Sequence, residues 1–475
     1  MFNNKNSLVA FLLVMGPILS GFNTRFTSNF ITRLQAQSSF SLSQAIDYGL
    51  KNSNDVKIKE IGIQTAVQSI KEFRATGMPK LNGTVAFQHY LIVPSQPVAD
   101  FITPSVYGVL FDENVIPKRD LGAPNTFQFT LFQPNTLTGG LELSAMLFDG
   151  AYLFGVKASK LYKELIAKDL DITEMGIRSN ITKAYASALI AIQNKDIISK
   201  NLSVLTKSLN ETKALFTNGF AESLDVDRLQ LSYDNLSIEM TRVDQLIQVS
   251  KNVLKYQMRF PLDEDITLSE TLNVVLQDNE IREFGGNPDI DYTQRPEYEL
   301  ITLQQSLNEL DYKRTKAGYL PTARAIATAQ ANLQRQNLFD NTQTGWIPQS
   351  LVGVSINIPI YDGGDKSAKI QKIKLNQEKT ALDKENLENA ITLQVTNAYN
   401  SFYTSKNVLG NRQKSVASAQ NIYDKTIIKF KEGVGSSIEV TQAESQLYSA
   451  QANYTNALYD LLSAKVELLT AIGKI

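Results

Sequence analysis

Residues 216–226 read FTNGFAESLDV and residues 430–440 read FKEGVGSSIEV, one pattern written twice at an offset of 214 residues. Each copy has Phe (Phe216, Phe430), Gly three later (Gly219, Gly433), an acid six beyond the Gly (Asp225, Glu439) and then Val. The flanks repeat too. Thr182-Lys-Ala-Tyr185 meets Thr396-Asn-Ala-Tyr399 at the same offset of 214, and Asp149-Gly150 meets Asp362-Gly363 at 213. RATGMP (Arg74 to Pro79) meets KAGYLP (Lys316 to Pro321) at 242. The offset changes because Pro79 to Asp149 is 70 residues and Pro321 to Asp362 is 41, so the first half has the longer loop region. A duplication of this size means that whatever one half builds, the other builds again. Each half runs helix, Pro, alternating segment, loop, alternating segment, Asp-Gly, long helix, Gly-acid turn, long helix.

Between Gly150 and Phe216, and between Gly363 and Phe430, there is no proline. A helix of ~65 residues is ~100 Å long, far beyond the usual globular length, and needs a partner along its whole side. The apolar spacing supplies one. After the second turn come Val440, Ala443, Leu447, Ala450, Tyr454, Ala457, Leu461, Ala464, Leu468 and Ala471, in unbroken steps of three and four. After the first come Val226, Leu229, Tyr233, Leu236, Met240, Val243, Ile247, Ser250 and Leu254, with Ser250 the one polar member. A sustained seven-residue period makes left-handed coiled-coil hairpins.

The segments before each Asp-Gly use period two. LVGVSINIPI (Leu351 to Ile360) sets Val352, Val354, Ile356, Ile358 and Ile360 against Gly353, Ser355 and Asn357; TFQFTL (from Thr126), LELSAML (from Leu141) and Val85-Phe87-His89 alternate likewise. Such strands, with one apolar and one small or polar face, fit a membrane barrel wall as well as an ordinary sheet lying on a core. Their position at one end of very long helices favours the wall. Two strands per half make four per chain, too few to close a barrel when the smallest have ~8, so closure demands a homo-oligomer and a lumen prefers at least three chains. Residues 93–125 carry Pro94, Pro97, Pro104, Pro117 and Pro124 and read as an irregular exposed loop.

The charge balance, 47 Lys plus Arg against 48 Asp plus Glu, leaves no basic footprint for nucleic acid. With no cysteine and His89 the single histidine, zinc, iron–sulfur and thiol chemistry fall away, and neither metal nor cofactor is expected. No Gly-rich phosphate loop, H-E-x-x-H or G-x-S-x-G is present, so an enzyme is not expected. Asp362-Gly363-Gly364-Asp365 sits where a strand must turn into a helix. At the start, Lys5 precedes an apolar run from Leu8 to Leu19, a secretory signature with a cleavage position after Ala36. The expected organisation is a signal peptide over 1–36 and a first repeat over 37–258, with strands about 81–92 and 126–148 and helices about 150–216 and 221–258. A linker over 259–295 reads as a belt around the middle of the helices. The second repeat covers 296–475, with strands about 322–332 and 350–360 and helices about 363–430 and 437–472.

In this order, twice over, these features resemble the TolC family of outer-membrane efflux and secretion ducts. The duplicated strand–strand–helix–helix plan, the entries ending at Pro79 and Pro321, the Asp149 and Asp362 pairs with Gly and the two G-x5-[DE]-V turns carry the resemblance, from about Phe40 to Gly473. It implies a homotrimer whose 12-stranded outer-membrane β-barrel continues into a periplasmic α-helical barrel. It implies a periplasmic adaptor as partner and, through it, an inner-membrane pump, with passive conduction of drugs, metals or other toxic small molecules. A type I protein secretion duct shares this architecture. The rival from another class is an exported coiled-coil scaffold.

At the turns, Gly219 and Gly433 let the chain reverse, and Ser223 and Ser436 or Ser437 are the expected caps of the next helices. Asp225 and Glu439 fall in the first turn, where the helix dipole favours an acid. At the mouth of a pore, three copies of each would instead form a negative ring that favours cations. The resemblance implies that Asp225 matches an acid locking the closed mouth with aromatic and basic partners on the second hairpin. Phe430 supplies the aromatic; Gly435 stands at the basic position, and Lys431 is the nearest cation. Glu439 matches an acid of the family's inner ring, while Gln442 stands where a second belongs, so a differently built constriction is expected. Gly219, Phe220, Ala221, Gly433, Val434 and Ser436 are the expected adaptor contacts.

Overall fold

The computed structural model describes residues 38–475, apart from 124, 131, 273, 275–289, 341, 343 and 344. The expected signal peptide and its cleavage position lie outside the described residues, as does much of the 259–295 linker. The first half begins with β1 (Ser38–Phe40), α1 (Leu42–Asn52) and α2 (Asn54–Ala75), then β2 (Lys80–His89). There follow β3 (Ser95–Ala99), α3 (Ile102–Asp112), β4 (Thr126–Thr130), β5 (Asn135–Phe148), α4 (Gly150–Thr217) and α5 (Ser223–Met258). After β6 (Ile266–Leu268), the second half runs α6 (Pro296–Ala317), β7 (Thr322–Arg335), β8 (Ile347–Asn357), α7 (Asp365–Lys431) and α8 (Ser437–Ala471).

The helices owe their length to the heptads. Leu229, Leu236 and Val243 of α5 and Val440, Ala443 and Leu447 of α8 are buried in one cluster, together with Leu205 and Leu209 of α4 and Tyr423 of α7. Farther along, Ala457, Leu461, Ala464, Leu468 and Ala471 continue the buried column, and the polar Ser250 is buried within its own. At 68 residues, α4 is about 100 Å long. Halfway along lies the equator, where Ile181, Tyr185, Leu254 and Met258 pack with Ile266. There β1 pairs in parallel with β6, and the Tyr185 hydroxyl donates to the Phe40 carbonyl at 2.9 Å.

The main sheet is antiparallel in the order β2-β5-β7-β8, so the two halves meet between β5 and β7. Its register sorts every side chain onto a face. Leu81 faces Leu143, Leu143 faces Ala327, and Ala327 faces Val352, an apolar row running across all four strands. Three residues along, Thr84, Gly140, Gln330 and Gln349 form a small and polar row on the opposite face. Directly paired residues share a face and neighbours alternate, so two offset rows prove two chemically different faces. On the polar face Thr138 donates to Asn332 at 2.7 Å and Gln330 to Gln349 at 3.1 Å. On the apolar face Val85 and Val352 are 83% and 84% exposed.

Several strands differ from their expected bounds. The segment 126–148 is two strands: Thr126–Thr130 leaves the main sheet to pair with β3, and only Asn135–Phe148 joins the wall. Pro134 stands at the break, without the N–H a ladder strand donates; its carbonyl still accepts from Tyr90 at 2.8 Å, just past His89, the last residue of β2. β8 starts and stops three residues early, with Pro359 just beyond it. The 93–125 loop is not irregular throughout. Asp100 accepts from the N–H groups of Ile102 and Thr103 at 3.1 and 2.9 Å and starts α3, whose Pro104 falls in the first turn, where no intrahelical N–H is lost.

Candidate functional site

The two Gly-acid turns end their helices identically. Gly219 and Gly433 have φ of 80° and 75°, the left-handed region that a Cβ disfavours. Phe220 N–H then reaches back to the Leu215 carbonyl at 2.9 Å and Val434 N–H to the Lys429 carbonyl at 3.1 Å, capping the last carbonyls of α4 and α7. The residue after each Gly is thrown outward: Phe220 and Val434 are both 80% exposed. Ala221 and Ser436 flank these tips, and Ser436 caps α8 by accepting from Glu439 N–H at 3.4 Å.

The cap of α5 differs from expectation. Glu222, not Ser223, occupies the N-cap position, and Ser223 is the first helical residue. Asp225 turns back to accept from Glu222 N–H at 3.2 Å, so its carboxylate stabilises the helix start. Among the described residues neither Asp225 nor Glu439 forms an ion pair. Lys431, the cation nearest the second turn, bonds to Glu211 of α4 at 2.7 Å and is not aimed at Asp225. Phe430 packs against the buried cluster between the hairpins. At Gly435 a Cβ would lie 3.0 Å from Phe430 N, too tight for any larger residue without displacing the end of α7.

A cation absent from sequence reasoning does cross the hairpins. Arg228 of α5 donates to Ser437 Oγ of α8 at 2.9 Å, and Ser437 is buried. Lys431–Glu211 and Arg228–Ser437 together tie the second hairpin to the first at its tip. A basic residue one turn past the Gly-acid turn was the available signal; its direction depended on how the two hairpins sit side by side. The chain's other strand–helix corners are capped locally: Asp149 accepts from Tyr152 N–H at 3.1 Å, and Asp362 from Gly364 N–H at 3.1 Å and Lys366 Nζ at 2.9 Å. His89 bonds Asn135 at 2.8 Å on the rim of the sheet, a strand contact.

A sheet apolar on its outer face, polar on its inner face and joined end-on to ~100 Å coiled coils defines an outer-membrane channel subunit with a periplasmic helical part. Comparison with known proteins agrees. Residues 303–474 match the Outer membrane efflux protein family. Outer membrane protein TolC of Escherichia coli (strain K12) is 22% identical over 387 residues, 76% of this chain and 75% of that protein. The Proteases secretion protein PrtF of Dickeya chrysanthemi is 20% identical over 373 residues, 77% of this chain and 78% of that protein. In fold, the chain superposes on CusC, whose structures concern folding and transmembrane channel formation, with a TM-score of 0.70, 15% identity and coverage of 92% of this chain and 93% of that one. The second half of this chain matches that efflux family, and over about three quarters of its length the chain resembles TolC proteins. It is an outer-membrane exit duct subunit, its helical part lying in the periplasm.

Proposed function

We propose that three copies join β2 of one to β8 of the next, closing a 12-stranded barrel that passively conducts small molecules delivered by an inner-membrane pump. The carrying observation is the four-stranded sheet: among the described residues neither β2 nor β8 has a strand on its outer edge. In lipid those unpaired backbone groups must be satisfied, and a like subunit offers the complementary edge. Phe220 and Val434, presented on glycine turns at corresponding places, suit capture by an apolar hairpin of a periplasmic adaptor. Opening then means that the α7/α8 hairpin leaves α4/α5 at the tip, through differential contacts with that adaptor.

The gate reading of Asp225 and Glu439 is tested in planar bilayers. Replacing both with Ala is expected to raise single-channel conductance and weaken cation preference. Unchanged conductance and selectivity would leave these acids as helix-start residues alone. Protein secretion is the second reading, favoured by the likeness to PrtF. A deletion strain that becomes sensitive to toxic small molecules while its secreted proteins are unchanged supports efflux; loss of a secreted protein with unchanged sensitivity supports secretion.

A further inference from the structure

We propose that Glu444 is a proton-operated clasp between the two hairpins, neutral while they are packed together and ionised when they part. The proposal rests on the duct reading above. Glu444 belongs to α8 and is 2% exposed, in a helix whose other polar residues mostly reach water. Its Oε1 accepts from the Tyr448 hydroxyl at 2.6 Å, and Ser232 of α5, on the opposite hairpin, also bonds it. The carboxyl therefore bridges the two bodies that must separate, about two helical turns above the Arg228–Ser437 tie.

The surroundings favour the neutral form. Burial holds the carboxyl above its ordinary range; the hydrogen bonds from Tyr448 and Ser232 pull the other way and are outweighed. From α7 it faces Tyr423, whose phenol is pushed up by burial and then by Glu444 itself, with Asp424 beyond. From α5 it shares a cleft with Glu239, which Arg242 approaches at 3.6 Å. From α4 the cleft is lined by Asn194, Ile197, Ile198 and Asn201, none of them charged. Among the described residues no lysine or arginine lines this cleft of about 440 Å³ to compensate an ionised Glu444. The cleft also opens the carboxyl to proton exchange. Once ionised, it is repelled by Glu239 across the gap.

The direction of the pH effect follows from linkage. A carboxyl raised in the packed state stabilises that state fully below its ordinary range and loses the contribution as pH rises through the raised value. Rising pH therefore loosens the hairpins and falling pH tightens them, by at most about tenfold in the open-to-closed ratio per pH unit for one proton.

Single-channel recordings of the trimer from ~pH 4 to ~pH 8 test this. Wild type is expected to open increasingly as pH rises, whereas Glu444→Gln, nearly the same shape and permanently neutral, stays at the acid level throughout. Tyr448→Phe removes a bond that favours the charged form and is expected to shift the wild-type curve to higher pH. Intact trimers on unheated gels confirm that both variants assemble. A Gln variant that follows the wild-type curve, or a conducting wild type indifferent to pH, overturns the clasp and leaves the duct standing. A wild type that conducts at no pH overturns both.

Discussion

Arginine in place of Val354 stops the chain from assembling in the outer membrane. Val354 lies on β8 opposite Ala325, in the same rank as Val352 and Ile356, and is 63% exposed in the single chain. In the proposed barrel that face meets hydrocarbon. A charge at the bilayer midplane of a β-barrel costs about 2–4 kcal/mol, so three copies cost about 6–12 kcal/mol, comparable with the whole stability of many folded proteins. Ser355→Arg, one residue along on the polar face, is the paired control. It is expected to assemble normally and alter ion selectivity, because its side chain enters the lumen. Fractionation with unheated gels reads both: equal assembly of the two variants, whether both succeed or both fail, contradicts the sidedness of the sheet.

Arg295→Ala is expected to destabilise the equator by about 3–5 kcal/mol, the loss typical of breaking a buried, fully bonded ion pair. Arg295 is 6% exposed and sits just before Pro296, whose ring holds it extended. Its Nη1 donates to the Ala471 carbonyl at the end of α8 at 2.8 Å and to Gln394 of α7 at 3.2 Å. Its Nε and Nη2 fork onto Glu297, each at 3.1 Å. One side chain thus fastens the start of α6 to both long helices of its half. Beside it, Gly473 has φ 72° and a Cβ there would lie 2.2 Å from the Gln294 carbonyl oxygen, so the chain end has no room to shift and refill the gap. Arg295→Lys recovers only part of the loss, because an ammonium cannot make the fork. Thermal unfolding in detergent checks the pair; a midpoint for Arg295→Ala equal to that of wild type would remove the residue from the fold's support.

Much of this architecture is legible in the amino-acid order because it depends on local periods. Seven-residue spacing names the seam between two helices of one hairpin, as Val440 to Ala471 illustrate, and period two names the faces of Leu351 to Asn357. A Gly followed by an acid at fixed distance marks each tip, since Gly adopts without strain the left-handed φ found at Gly219 and Gly433. What escapes is packing between hairpins. Glu444 stands next to Ala443 but off the seam, and a single helix gives no reason to bury it; burial comes from the first hairpin alongside. Arg228, Lys431 and Arg295 are ordinary surface cations by pattern, and their partners lie 209, 220 and 176 residues away in Ser437, Glu211 and Ala471. The split of 126–148 into β4 and β5 turned on Pro134, which an alternation count passes over.

Closure of the sheet between subunits is tested most directly by disulfide trapping, which the absence of native cysteine makes clean. Thr84→Cys on the polar face of β2 is combined in turn with Gln349→Cys, Leu351→Cys, Gly353→Cys and Ser355→Cys on the same face of β8. If β2 of each subunit lies beside β8 of the next, one register yields a covalent ring of three chains under oxidation. Single chains at every register, or rings of two, would contradict it.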